Sequence, residues 1–205
     1  MRRHLVVMAR EPRLGTVKRR LAADIGALAA WRFYRTEAGR LLRRLSSDRR
    51  WLTWLAVTPD FPIHPGRLWP FSGRIVGQGG GDLGQRMGRL LVCLPPGPVV
   101  IVGSDIPAID ARHVTAAFDA LCRAKWVLGP ASDGGYWLIG ARRRPRIDLP
   151  FAGVRWSGPH AYADTLRNLE RGEVARLEIQ DDIDDGADYR RWRETLRRRS
   201  TGETG

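Results

Sequence analysis

The stretch Val99-Val100-Ile101-Val102-Gly103-Ser104-Asp105-Ile106-Pro107 joins four consecutive β-branched residues to a polar turn. Apolar residues without polar alternation predict a strand buried on both faces, the pattern of a central strand in a largely parallel sheet. Ligands of such sheets bind outside the carboxyl ends of the strands. Ser104 and Asp105 are thereby placed at a sheet mouth, where Asp105 is a candidate ligand for Mg²⁺ or Mn²⁺ beside nucleotide phosphates. The competing reading, that Asp105 caps the next helix, is weakened by the five residues separating it from a helix start near Ala111.

Working outward, Leu5 to Ala9, Leu52 to Val57, Arg74 to Val76, Trp126 to Leu128 and Tyr136 to Gly140 read as further strands. Trp31, Tyr34, Ala38, Leu41, Leu42 and Leu45 recur at helical spacing, as do Leu83, Met87, Leu90, Leu91 and Leu94. Helices are also predicted from about Thr16, over Ala111 to Arg123, Tyr162 to Leu169 and Tyr189 to Leu196. Strands alternating with helices predict an α/β fold with helices on both faces of the sheet. The expected organisation is one domain over residues 1–199, with 200–205 as a frayed tail.

The 205 residues are 43% hydrophobic and 28% charged, which suits a globular chain rather than a disordered one. No apolar run approaches a membrane span, and the run after the basic start ends at Arg10, too early for a secretory signal. Cys93 and Cys122 show no CxxC spacing, so a zinc or disulfide scaffold is excluded. A cytoplasmic location is expected. The net charge of +13 suggests nucleic acid at first sight. Yet of 35 basic residues only Lys18 and Lys125 are lysine, a chain-wide arginine preference rather than a built binding face. No base-reading motif accompanies it, and nucleic acid is not expected as a partner. GxSxG and HExxH are absent, and His4, His64, His113 and His160 are dispersed and mostly expected at the surface, which removes hydrolytic triads and zinc proteolysis.

Four polar clusters end strands on one sheet edge. In Ala9-Arg10-Glu11-Pro12-Arg13-Leu14-Gly15-Thr16-Val17-Lys18-Arg19-Arg20-Leu21, Gly15 allows a close turn and Thr16 is the expected N-cap. Cations early in a helix oppose the macrodipole, so Lys18 and Arg20 suggest a bound phosphate, though a solvated basic helix start has the same pattern. Ala9, Gly15, Lys18, Arg20 and Ser104 are candidate nucleotide or phosphate contacts. Gln78-Gly79-Gly80-Gly81-Asp82-Leu83-Gly84-Gln85-Arg86 fits a base-binding loop, with Gln78, Asp82 and Arg86 as contacts, or a plain loop-to-helix junction. In Gly129-Pro130-Ala131-Ser132-Asp133-Gly134-Gly135-Tyr136, Asp-Gly-Gly reads as a hairpin turn that makes the next strand antiparallel, with Asp133 still able to face the site. The acidic run Asp181-Asp182-Ile183-Asp184-Asp185 is either a solvated loop or a source of a second metal ligand, Asp182 or Asp184.

Together these stretches resemble the DUF2064-type bacterial transferases, related to nucleotide-diphospho-sugar transferases of the GT-A fold. The matching segments are Gly15 to Leu21, Gly81 to Met87, Gly103 to Pro107, Gly129 to Gly140 and Asp182 to Asp184, with Val154-Arg155-Trp156-Ser157 where relatives carry Trp-Ser-Thr. Arg19 and Gly158 depart from that pattern by replacing threonines. The resemblance implies a GT-A-like three-layer sandwich with a mixed, mostly parallel sheet. It also implies transfer of a sugar from a nucleotide-diphosphate donor to a small acceptor, with Mg²⁺ or Mn²⁺ on Asp105 and Asp184. Asp133 would act as base or orient the acceptor, beside Gly134 and Trp156. The alternative reaction is nucleotidyl transfer to a phosphorylated acceptor, as in the 2-phospholactate guanylyltransferases. A non-catalytic nucleotide- or nucleic-acid-binding module is the alternative of a different class.

Overall fold

A computed structural model gives the structure of residues 1–60, 68–69, 71–143, 146–170 and 172–201. The strands are β1 (His4–Arg10), β2 (Leu52–Thr58), β3 (Arg74–Gly77), β4 (Val99–Gly103), β5 (Trp126–Pro130), β6 (Tyr136–Ala141) and β7 (Val174–Arg176). They form one seven-stranded sheet in the order β3-β2-β1-β4-β6-β5-β7. Only β6 runs antiparallel to its neighbours, β4 and β5. The described helices are α1 (Arg19–Ile25), α2 (Ala27–Ser46), α3 (Leu83–Cys93), α4 (Ala111–Ala120), α5 (Ala161–Arg167) and α6 (Gly186–Thr201). The GT-A-like α/β sandwich expected from the sequence is the fold observed.

The continuous apolar strands are explained by helices on both sheet faces. Leu5, Val7, Val100 and Val102 pack with Tyr34, Ala38, Leu41, Leu42 and Leu45 of α2 and with Val114 and Phe118 of α4. Val6, Val99 and Ile101, one residue out of phase, pack with Met87, Leu90 and Leu91 of α3. Every one of these strand side chains is at most 3% exposed. Each position therefore needs an apolar side chain, whichever face it points to.

The antiparallel β6 comes from the Asp133-Gly134 turn, as the sequence predicts. Gly134 has φ +85°, and a Cβ there would lie 2.4 Å from the Pro159 carbonyl oxygen, so both conformation and contact require glycine. Its own carbonyl accepts from the Tyr162 amide at 3.0 Å, which anchors the start of α5 to this turn.

Several local expectations are corrected. Thr16 does not cap α1: its hydroxyl donates back to the Arg13 carbonyl at 2.9 Å, closing the loop on itself. The helix begins at Arg19, with Lys18 at the cap position in a left-handed conformation, φ 48° and ψ 52°. The cap of α4 is Asp110, in a reciprocal capping box with His113, which frees Asp105 from that role. His113 and His4 are buried rather than at the surface. His4 Nδ1 accepts from the Trp54 indole at 3.1 Å. Ser200 and Thr201, expected in the tail, continue α6, while residues 202–205 and His64 lie outside the described residues. Among the described residues no helix is long and apolar enough to cross a membrane.

Candidate active site

β1 and β4 are parallel neighbours, but the sheet continues from them in opposite directions. The loops leaving their carboxyl ends therefore diverge and open a crevice. A cavity of about 760 Å³ lies there, within the size range of ligand sites. Ala9, Arg10, Lys18, Arg20, Ser104 and Asp105 line it from the β1 and β4 sides, with Gln78, Arg86 and Asp184 from elsewhere in the chain.

Three carboxylates converge here, two of them, Asp105 and Asp184, in the cavity lining. Asp105, Asp182 and Asp184 each offer an oxygen within 4.8 Å of the others. Asp105 arrives on the turn after β4. The other two arrive because the chain after β7 stays beside β5: the Gln180 amide donates to the Pro130 carbonyl at 3.2 Å. Beyond it Ile183 is buried among Leu21, Ala30 and Phe33. Alternation along an extended chain turns the flanking Asp182 and Asp184 the other way, toward Asp105. Within the acidic run, Asp182 and Asp184 thus turn toward Asp105, while Asp181 and Asp185 are exposed.

The Lys18 ammonium lies among these acids, 2.6 Å from Asp184 Oδ1 and 3.3 Å from Asp105 Oδ2, with its side chain 6% exposed. Burial opposes its charge, but Asp105 and Asp184 outweigh that and hold its pKa above the ordinary lysine range. Burial together with the charges of Asp184 and Asp105 pushes Asp182 up to about 7. One ammonium does not neutralise the centre.

A second network sets the crevice walls. The buried Tyr34 hydroxyl accepts from the Arg10 amide and donates to the Arg10 carbonyl, both at 2.9 Å, and lies 3.2 Å from Ser104 Oγ. It ties the exit of β1 to the exit of β4. Sequence reasoning assigned Tyr34 only to the apolar face of α2; a phenol on a buried stripe was the available signal.

The remaining sequence candidates divide. Gln78 lines the cavity, but its amide is committed to the Ala9 and Ala56 carbonyls at 3.1 and 2.9 Å, bracing the ends of β1 and β2. Arg86 lines it while donating from Nε to the Gly81 carbonyl at 2.9 Å. Asp82 is the cap of α3, in a capping box with Gln85, and Gly15 turns the first loop with φ +78°; neither lines the cavity. Asp133 is exposed, its carboxylate accepting from the Gly135 amide at 2.8 Å, close enough to Asp182 to add to the repulsion there. Trp156 is half-buried against Phe151 and Tyr136 and closes over Gly84 at the start of α3, while its neighbour Ser157 reaches the cavity.

The model of the family described as "Uncharacterized protein conserved in bacteria (DUF2064)" matches residues 41–158. A search of curated proteins gives no match. Among solved structures, the chain superposes on a candidate nucleotide-diphospho-sugar transferase from Desulfovibrio desulfuricans G20 with TM-score 0.87 and 29% identity, over 95% of this chain and 88% of that one. With 4-diphosphocytidyl-2C-methyl-D-erythritol synthase from Anaerococcus prevotii DSM 20548 the TM-score is 0.63 at 12% identity, over 96% and 99% of the two chains. With glucosyl-3-phosphoglycerate synthase from Mycobacterium tuberculosis, solved with Mn²⁺, uridine diphosphate and glucosyl-3-phosphoglycerate, it is 0.56 at 11%, over 92% and 74%. The last two likenesses concern the fold alone. The chain is an enzyme of the transferase class and belongs to the DUF2064 family, which the sheet, the crevice and the matched segment together place within the nucleotide-diphospho-sugar transferase fold.

Proposed function

We propose that this chain transfers a glycosyl group from a nucleotide-diphosphate sugar to a small acceptor, with Mg²⁺ or Mn²⁺ as its divalent ion. One observation carries the reading: Asp105, Asp182, Asp184 and Lys18 converge at a crevice at the carboxyl ends of β1 and β4. The donor set fits such an ion. Three hard carboxylate oxygens lie close together, and Asp182 stays partly protonated near neutral pH even beside an ammonium. Asp105 and Asp184, joined by Asp182, would hold the ion. When bound, it supplies neutralisation of the charge that develops on the nucleoside-diphosphate leaving group.

The chain's own residues do the rest. Lys18 and Arg20 contact the donor phosphates, while Ser104 and the Ala9 backbone, fixed by Tyr34 and Gln78, shape the floor. Arg86, on the helix that Asp82 caps, borders the nucleotide side, and Gly15 sets the turn that brings Lys18 in. Asp133 orients the acceptor hydroxyl or takes its proton, from a turn built on Gly134 and beside the Trp156-Ser157 segment. Residues 1–199 act as one domain. A cytoplasmic setting accords with the unpaired Cys93 and Cys122.

The test is product analysis with a panel of UDP- and GDP-sugars and, separately, nucleoside triphosphates. Release of nucleoside diphosphate from a sugar donor supports the reading. Release of pyrophosphate from a triphosphate replaces it with nucleotidyl transfer.

A further inference from the structure

The Lys18 ammonium stands where a cation bridging Asp105 and Asp184 would stand. It lies 2.6 and 3.3 Å from one oxygen of each, and its side chain is 6% exposed. The same two carboxylates are the ones that would hold a divalent ion, and Asp182, within 4.8 Å, completes the set. Ammonium and ion cannot both occupy that space. The backbone holds Lys18 in this posture: with φ 48° and ψ 52° it takes a left-handed conformation that non-glycine residues adopt at a cost. Around it the cavity lining offers Arg10, Arg19, Arg20 and Arg86, and among the described residues its only acids are Asp105 and Asp184, so a diphosphate entering there is the natural counter-anion for a displaced ammonium.

We propose that Lys18 is a built-in occupant of the cation site, displaced jointly by a divalent ion on the carboxylates and a diphosphate on the ammonium. Metal and donor then load with positive coupling, and the ion alone meets a site already filled. This inference rests on the metal-dependent nucleotide reading above and deepens it. The ammonium breaks its contacts with Asp105 and Asp184 and makes equivalent ones with phosphate oxygens. No covalent bond to the chain forms or breaks, apart from release to solvent of any proton on Asp182 as the ion binds, and no electron is transferred. A site that stays closed to free cation until the donor arrives also avoids a stray ion on the acids.

The test uses the full chain and Lys18→Met, both checked for folding by circular dichroism; Lys18→Gln serves the same purpose should the methionine variant not fold. Each is titrated with MnCl₂ while free Mn²⁺ is read by electron paramagnetic resonance, alone and then with UDP or GDP, against protein-free controls. Without nucleotide, Lys18→Met is expected to bind Mn²⁺ at least about tenfold more tightly, because the competing charge a few ångströms away is gone. In the unaltered chain nucleotide tightens Mn²⁺ binding, and Mn²⁺ tightens nucleotide binding by the same factor. In the variant that factor is smaller, because only the direct attraction between ion and diphosphate remains. Equal or weaker Mn²⁺ binding by Lys18→Met, with both ligands still bound, overturns the occupant role and leaves the metal-dependent reading standing. Absence of Mn²⁺ binding by either protein under every condition overturns that reading and this proposal with it.

Discussion

At the residue scale, the site depends on a few groups whose neighbours fix their state. Asp105→Asn keeps the volume and the turn but removes charge that a hard cation needs. Turnover should fall by at least about a hundredfold, and stabilisation by nucleotide should lose its dependence on Mg²⁺ or Mn²⁺. Thermal shifts with and without metal check this; a full metal-dependent shift in the variant would leave Asp182 and Asp184 as the ligands. Tyr34→Phe leaves the Arg10 amide and carbonyl without their buried partner. It should lower unfolding stability by about 1–3 kcal/mol in urea titrations, with no change in secondary structure. Asp105 was legible because it follows an unbroken apolar run. Tyr34 was not, because helical spacing identifies a buried face but not what a hydroxyl on that face meets.

At the element scale, the long periodic segments were read correctly, while one short edge strand and one helix start were not. The stripe of α2 and the run of β4 repeat one physical requirement over many residues, so a local exception does not hide it. β7 was missed: three residues, Val174–Arg176, pair only with β5 at the sheet edge, and none is fully buried. No periodicity exists in so short a strand. The start of α1 was misplaced because Thr16 has the chemistry of a cap, yet its hydroxyl is satisfied within its own loop. Packing across the layers carries the stability of these elements. Leu91 of α3 is fully buried against the sheet face that holds Val6 and Ile101. Leu91→Ala should cost about 2–5 kcal/mol by chemical denaturation. A loss below about 1 kcal/mol would mean that α3 repacks easily.

At the scale of the whole molecule, the acidic centre exists only because distant segments meet. Burial, with the charges of Asp184 and Asp105, raises Asp182 from an ordinary carboxylate value to about 7. The folded state therefore holds a proton that the unfolded chain has already lost between about pH 4 and 7, and stability from this group declines as pH rises through that window. Above about pH 7 the loss is complete. With divalent ions chelated, Asp182→Asn should remove this decline. Its melting temperature relative to the unaltered protein should rise from pH 5 to pH 8, and a difference independent of pH would show that Asp182 titrates normally. Added Mg²⁺ or Mn²⁺ should shrink the effect, because the ion supplies the missing charge.

What the chain dictates by itself is the local part of this protein. Apolar runs define strands, helical stripes define layers, and the Asp-Gly-Gly turn reverses β6, because each depends on neighbours a few residues apart. An α/β fold with a mixed sheet follows from their order, and the resemblance of the motifs to a known family implied the GT-A-like class. Tertiary structure alone decided which of the polar candidates meet. Asp182 and Asp184 reach Asp105 through the bridge of Gln180 to Ala131 and the burial of Ile183, and Lys18 reaches Asp105 and Asp184 from a left-handed backbone position. Asp82 and Gln78, equally polar and equally near a glycine run, are consumed by a helix cap and by two strand carbonyls. Sequence lists the charges; their energies depend on distance and burial, which only the folded chain sets.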